Sequence, residues 1–298
     1  MLSLRRIKRG LRSPRLVAQH VNKIYYRARY GSEYPAGEDF VAQDWDNLLI
    51  LDACRYDAFE QLNTIDGDVT KKTSKASSTV GFLRTNVDGK DLNDIVYVTG
   101  NPQLVWMTDR INHDFHEVVN VWSEDGWDDT HQTVLPETMV EYAREAHREF
   151  PDKRLIVHFV QPHCPFIGEF GRDAIDDSNI DFWPKLREGE LDVATETLQR
   201  AYRENIECVL PAAEQLVGML DGKSVITSDH GQVIAKRSFP LPVREYGHPE
   251  YTYLPELVEV PWLVCDGDER RRVRWEASRE ETDSENVEAR LRQLGYRT

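Results

Sequence analysis

Long apolar runs are missing from this chain of 298 residues. None reaches 18 residues, so no membrane-spanning helix is expected. Cysteine is scarce. Cys54, Cys164, Cys208 and Cys265 form no Cys-x-x-Cys pair and show no regular spacing, which argues against a disulfide framework and fits four reduced, mostly buried thiols in an intracellular protein. Internal repeats and low-complexity tracts are absent. The basic N-terminus lacks an uninterrupted apolar core and a small-residue cleavage site, and does not read as a secretory signal.

Charge of one sign is missing from each of two regions. Residues 1–32 contain nine Lys/Arg and no Asp or Glu. The remainder is thin in cations, with 28 basic against 52 acidic residues, a balance of −24 within a net −15. So acidic a body repels phosphate backbones and excludes nucleic acid as a general partner. It fits a salt-adapted, halophilic surface. In the basic block, Leu2, Leu4, Ile7, Leu11, Leu16, Val17, Val21 and Ile24 recur at helical spacing, with Pro14 breaking or restarting the helix. Three readings fit: an amphipathic arm in peripheral contact with an anionic membrane surface, a helix packed on the acidic body, or an oligomer contact.

What is present has a βα rhythm. The boundaries read as an arm at 1–32, a polar linker at 33–45 and a catalytic domain at 46–298. Asn47–Leu51 is a continuous apolar run suited to a central parallel strand. Further strands are expected at Asp94–Val98, Arg154–Val160, Ser224–Thr227 and Val260–Val264. Helices are expected at Tyr56–Leu62, Pro136–Phe150, Leu191–Leu220 (with a break at Pro211) and 284–295. The alternation implies an α/β fold, with a mostly parallel central sheet flanked by helices.

Chemistry-bearing residues cluster after the strands. Ser228-Asp229-His230-Gly231 ends one strand and Asp52 ends another. Open α/β sheets bind ligands at this edge, and Asp oxygens with a His nitrogen suit a divalent ion. The imidazole favours Zn²⁺ or Mn²⁺ over Mg²⁺ or Ca²⁺. Ser77, Ser78 and Thr79 precede a helical run. Hydroxyls there are ordinary helix caps, but beside a cation at a helix N-terminus one of them is also an activated nucleophile. His163 and His248 are flanked by Pro or Gly and can bind the transferred group, complete a second metal site or protonate a leaving group.

Leu49-Ile50-Leu51-Asp52, a hydroxyl 25 to 27 residues later, Pro162-His163-Cys164-Pro165-Phe166, Thr227-Ser228-Asp229-His230-Gly231 and Gly247-His248-Pro249 occur in that order. In this the chain resembles the alkaline-phosphatase-like superfamily over residues 46 to 297. That group includes sulfatases, phosphonate monoester hydrolases, lipoteichoic acid synthases and phosphoethanolamine transferases. The chain looks most like the sulfatase-like branch, and particularly its acidic haloarchaeal members. The resemblance implies an alkaline-phosphatase-like three-layer sandwich and a divalent metal on Asp52, Asp229 and His230. It also implies a nucleophile among Ser77, Ser78 and Thr79, with His163 and His248 facing the ester. The implied activity is hydrolysis or transfer of a phosphate or sulfate ester, small-molecule or lipid- or glycan-linked, through a covalent enzyme ester. The chain departs from true sulfatases. Ser78-Thr79-Val80-Gly81-Phe82 lacks the Pro and Arg of the formylglycine frame, Ala53 stands where a second acidic ligand is usual, and the Lys-x-His element is missing. Comparison with lipoteichoic acid synthases favours Ser77 as nucleophile, whereas the sulfatase frame favours Ser78. These losses also leave open a non-catalytic protein that binds a glycan, lipid or protein partner.

Overall fold

The computed structural model describes residues 14–275 apart from 108–109, 124, 177–178, 180 and 268. The helix expected at 284–295 and the first part of the basic arm lie outside the described residues. Among them the elements run α1 (Pro14–Tyr30), β1 (Asn47–Leu51), α2 (Tyr56–Leu62), β2 (Asp68–Thr73), α3 (Thr79–Asn86), β3 (Asp91–Thr99), α4 (Gln103–Trp106), β4 (Asp114–Asn120), β5 (Trp127–Asp128), β6 (Thr133–Val134), α5 (Pro136–Glu149), β7 (Arg154–Phe159), α6 (Glu169–Ala174), α7 (Phe182–Glu188), α8 (Thr195–Met219), β8 (Ser224–Thr227), β9 (Val233–Arg237), β10 (Arg244–Gly247), α9 (Pro255–Val258) and β11 (Glu259–Cys265).

Seven strands form one sheet in the order β2-β11-β8-β1-β7-β3-β4. β8, β1, β7, β3 and β4 are mutually parallel, while β11 runs antiparallel to both β8 and β2. β1 lies between β7 and β8, with Leu48 opposite Ile156 and Val225 and Ile50 opposite His158 and Thr227. Successive strand residues point to opposite faces, and both faces are covered. Leu49 and Leu51 enter one core with Phe59, Trp122, Val157 and Leu216. Leu48 and Ile50 enter the other with Trp45, Phe82, Ile156 and Trp262. Burial on both sides is why β1 reads as an unbroken apolar run rather than an alternating one.

Three segments differ from the sequence reading. β2, Asp-Val-Thr-Lys-Lys-Thr, is not among the expected strands; it is an edge strand, where exposed lysines are tolerated and discourage further pairing. In the stretch read as a linker, Phe40, Val41 and Trp45 are buried in the second core. Pro211 does not interrupt α8. Val209 and Leu210 before it, and Ala212, Ala213 and Leu216 after it, are all buried. That packing offsets the roughly 3 kcal/mol that an interior proline costs a helix.

α8 braces the loops at the carboxyl edge of the sheet. Tyr202 Oη donates to the Ala53 carbonyl at 2.8 Å and accepts from the Arg55 amide at 2.9 Å. Buried Asn205 donates to the carbonyls of Pro162, His163 and Pro165 at 3.3, 3.2 and 3.0 Å and accepts from Ile167 N at 2.8 Å. Asn205→Leu keeps the volume but leaves these backbone groups unpartnered, and a buried group left so costs about 1–3 kcal/mol. Denaturant unfolding should show a loss of about 3 kcal/mol, whereas an unchanged midpoint would mean that the loop holds itself.

Candidate active site

Because the parallel strands run the same way, their carboxyl ends share one edge of the sheet. Asp52 leaves β1 there. Asn101, just past β3, donates its Nδ2 to Asp52 Oδ2 at 2.6 Å. Asp229 follows β8 by two residues, and its Oδ1 accepts from the amides of Ala53 at 3.1 Å and His230 at 2.9 Å. Ala53 adopts φ 63°, a left-handed conformation unusual for a residue with a side chain, and its amide is one of the two that hold the carboxylate. Gly231 is obligatory for a packing reason: a Cβ there would lie 2.2 Å from the Glu256 carbonyl oxygen.

Each aspartate is thus held by one oxygen, while Asp52 Oδ1 and Asp229 Oδ2 are buried with no hydrogen-bond partner among the described residues. His230 Nε2 lies 3.6 Å from Asp52 Oδ1 and 3.3 Å from Asp229 Oδ2. His158, which the sequence reading did not single out, brings its Nε2 to 3.9 Å from Asp229 Oδ2, and that nitrogen too has no hydrogen-bond partner among the described residues. Asp52, His158 and Asp229 each offer a ligand atom within 4.8 Å of the others. His230 Nδ1 donates to the Gly231 carbonyl at 2.8 Å, which turns the Nε2 lone pair toward the aspartates. Tyr97 Oη lies 2.6 Å from His158 Nδ1 and orients that ring in the same way.

The electrostatics point to a cation. Burial, then the charge of Asp229, pushes Asp52 well above the usual carboxylate range. Burial pushes His158 down to about 4 and lowers His230 as well, so both imidazoles are neutral donors at pH 7. Asp52, His158 and Asp229 could together hold a divalent metal ion; His230, which the sequence suggested as a ligand, is not in that group of three, although its Nε2 lies beside both aspartate oxygens.

The three hydroxyls have different surroundings. Ser77 Oγ donates to the Pro249 carbonyl at 2.9 Å and accepts from Thr252 N. Ser78 is the N-cap of α3, accepting from Gly81 N at 3.3 Å. Thr79 opens α3 with its Oγ1 3.2 Å from His230 Nε2. His163 and His248 stand over the same point: the His248 ring centroid is 4.9 Å from that of His163 and 4.6 Å from that of His230. The His163 amide donates to the Asp52 carbonyl at 3.0 Å. The structure therefore brings Asp52, Asp229, His230, Thr79, His163 and His248 together, and ties Ser77 and Ser78 into backbone contacts. Asp52, Ser78, Thr79, His163 and His248 line one cavity of about 810 Å³. The polar residues missed by the sequence reading had one signal each: His158 is an imidazole inside a buried strand, and Asn101 is an amide just past a strand end.

Asp229→Asn removes an anionic donor while keeping its size, and should weaken divalent metal binding at least about a hundredfold; His158→Ala should cost about 10- to 100-fold. Calorimetric titration of the metal-stripped protein checks both. Unchanged affinity in either variant would remove that residue from the site.

No protein-family model matches the chain, and no curated protein does. Solved structures do. The integral membrane lipooligosaccharide phosphoethanolamine transferase A (EptA) from Neisseria meningitidis aligns over 85% of this chain with a TM-score of 0.51 and 11% identity. The chain spans 55% of EptA. The zinc complex of the C-terminal periplasmic domain of EptC from Escherichia coli aligns over 78% of this chain and 75% of that one, with a TM-score of 0.49 and 12% identity. A Vibrio parahaemolyticus protein of the alkaline phosphatase superfamily covers 93% of this chain and 75% of its own length, at 0.43 and 11%. At such identities the likeness is one of architecture. The chain shares the fold of the EptA transferase, a mostly parallel seven-stranded sheet flanked by helices.

Proposed function

We propose that the chain is a metal-dependent hydrolase or transferase of phosphate or sulfate esters with Thr79 as its nucleophile. The observation that carries this reading is the Thr79 hydroxyl at the N-terminus of α3, 3.2 Å from His230 Nε2 and opening onto the cavity. A divalent ion held by Asp52, Asp229, His230 and His158 would supply Lewis-acid stabilisation of the ester's developing negative charge. Thr79 Oγ1 attacks the phosphorus or sulfur in line. Its new bond forms as the bond to the leaving alcohol breaks, and the hydroxyl proton passes to cavity water. His163 provides the proton for the departing oxygen. Burial pulls its pKa down, but Cys164, whose carbonyl accepts from Nδ1 at 2.6 Å, and the charge of Asp229 outweigh that and raise it. His248, held well below its ordinary pKa by burial and by the neighbouring His230 and His163, stays neutral and binds the transferred group by hydrogen bonding. Water or an acceptor alcohol then attacks the Thr79 ester and restores the hydroxyl. Water makes the reaction a hydrolysis, and an alcohol makes it a transfer.

The cavity is much larger than an ester group. Trp106, Trp127 and Trp183, with Gln103, Gln132 and Arg187, line it. Aromatic faces beside polar side chains suit a glycan- or lipid-linked ester. The reacting groups all fall within 46–298, which we take as the catalytic domain, behind the segments 33–45 and 1–32. Four free thiols and an acidic surface support a cytoplasmic setting. Among the described residues no helix is long and apolar enough to cross a membrane.

Metal-stripped protein, reloaded in turn with Mn²⁺, Zn²⁺, Mg²⁺ or Ca²⁺, should turn over an aryl phosphate, aryl phosphodiester or aryl sulfate at high salt. Thr79→Ala should lower kcat by at least about a thousandfold, and Ser77→Ala and Ser78→Ala by less than about tenfold. Full activity in Thr79→Ala would reject the nucleophile. Tight metal binding with no turnover would favour the non-catalytic binding protein.

A further inference from the structure

α1 has three distinct sides. Its inner side is docked on the body. Asn22 Nδ2 donates to Ser238 Oγ at 2.7 Å and to the Leu241 carbonyl at 2.8 Å, its Oδ1 accepts from Leu241 N at 2.9 Å, and Tyr26 is buried edge-on against Tyr253. A second side forms part of the cavity wall through Leu16, Gln19, His20 and Lys23. The third side carries Val17, Val21 and Ile24, which are 48%, 40% and 55% exposed. Spaced i, i+4, i+7, they form one stripe along the helix. His20 lies three residues after Val17 and four before Ile24, so the stripe borders the cavity wall directly.

A second element adds exposed apolar groups beside α1. The turn between β9 and β10 presents Phe239 and Leu241, 57% and 40% exposed. The Phe239 ring meets Tyr25 of α1 edge-on at 5.5 Å. Five exposed large apolar side chains thus lie on α1 and on the turn that meets it at Tyr25. The charge of these two segments is opposite to that of the body. Residues 14–30 hold Arg15, Lys23, Arg27 and Arg29 and no acid, and residues 236–244 hold Lys236, Arg237 and Arg244 and no acid. Lys23 and Lys236 pair with Glu250 and Glu256, while Arg27, Arg29, Arg237 and Arg244 remain exposed beside the apolar groups. Upstream the sequence adds Arg5, Arg6, Lys8, Arg9 and Arg12.

Apolar side chains ringed by cations, on a chain of net charge −15, complement a surface that is oily beneath and anionic above. A second copy of the chain is a poor occupant, because a two-fold contact would set the same cations against each other. We infer that α1 and the β9–β10 turn form a face that seats on an anionic lipid surface, so that the cavity opens beside the lipid headgroups. This inference deepens the proposed function by drawing the ester from a lipid-linked molecule at the interface, and it rests on that reading for the chemistry alone.

The test is flotation of the full chain with vesicles of phosphatidylcholine, with and without an equal part of phosphatidylglycerol, at fixed and then raised salt. The docking face expects binding at least about tenfold stronger to the anionic vesicles, weakening as salt rises. Val21→Asp with Ile24→Asp should reduce binding about tenfold or more, and so should Phe239→Ser on the separate turn. Both variants should keep the circular dichroism spectrum and the turnover of a water-soluble aryl ester. Absent vesicle binding, or binding that neither variant lowers, overturns the inference. So does self-association in light scattering that both variants abolish without affecting vesicle binding. Vesicle binding without turnover of any ester supports the docking face and contradicts the proposed chemistry separately.

Discussion

Two carboxylates, Asp52 and Asp229, lie together in a buried space and leave one oxygen apiece without a hydrogen bond among the described residues. In a low-dielectric interior such a pair repels strongly and cannot stay ionised without a compensating positive charge. The surroundings do not relieve the repulsion by neutralising both acids. Instead the two other oxygens are fixed by Asn101 and by the backbone amides of Ala53 and His230, and two neutral imidazoles point their nitrogens at the gap. The rest of the site is arranged around this unresolved charge. Thr79, His163 and His248 converge where a cation would draw an anionic ester.

The fold supplies that convergence from distant pieces of chain. β1, β7, β3 and β8 end on one edge, so residues near 52, 101, 158 and 229 become neighbours. Sheet register accounts for part of the precision, since His158 sits opposite Ile50, two residues before Asp52. α8 accounts for another part. Tyr202 and Asn205, one helical turn apart, fasten the loop after β1 and the loop after β7, the latter carrying His163. A helix over the sheet therefore acts as a brace for the candidate site as well as a cover for the core.

Much of this was legible in the sequence, and the parts that were not share a cause. Asp52, Asp229 and His230 stand out because each follows an apolar run that had to be a strand. His158 is hidden because it lies within such a run, where its apolar neighbours mask it and only the presence of an imidazole inside a buried strand betrays it. Asn101 is hidden in Thr-Gly-Asn-Pro, which reads as a turn and nothing more. The choice among Ser77, Ser78 and Thr79 depends on where α3 begins. One residue of displacement rotates a side chain by about 100°, enough to make Ser78 the cap and put Thr79 Oγ1 beside His230. The polar edge strand β2 and the buried aromatics of 33–45 escape notice because local composition resembles a loop. α1 was legible as basic and amphipathic. Its docking on the body and its place in the cavity wall came only from tertiary contacts, and the contact with an anionic surface that we infer would use the side of the helix left exposed.

The most direct measurement is anomalous diffraction from crystals of the metal-loaded protein, with data collected across the absorption edges of zinc and manganese. The account expects one strong peak between Asp52 Oδ1, Asp229 Oδ2, His230 Nε2 and His158 Nε2, within about 2.0–2.3 Å of at least three of them. A peak elsewhere, or none at a metal concentration that supports binding in solution, would contradict the claim that the buried aspartate pair is organised to hold a metal ion.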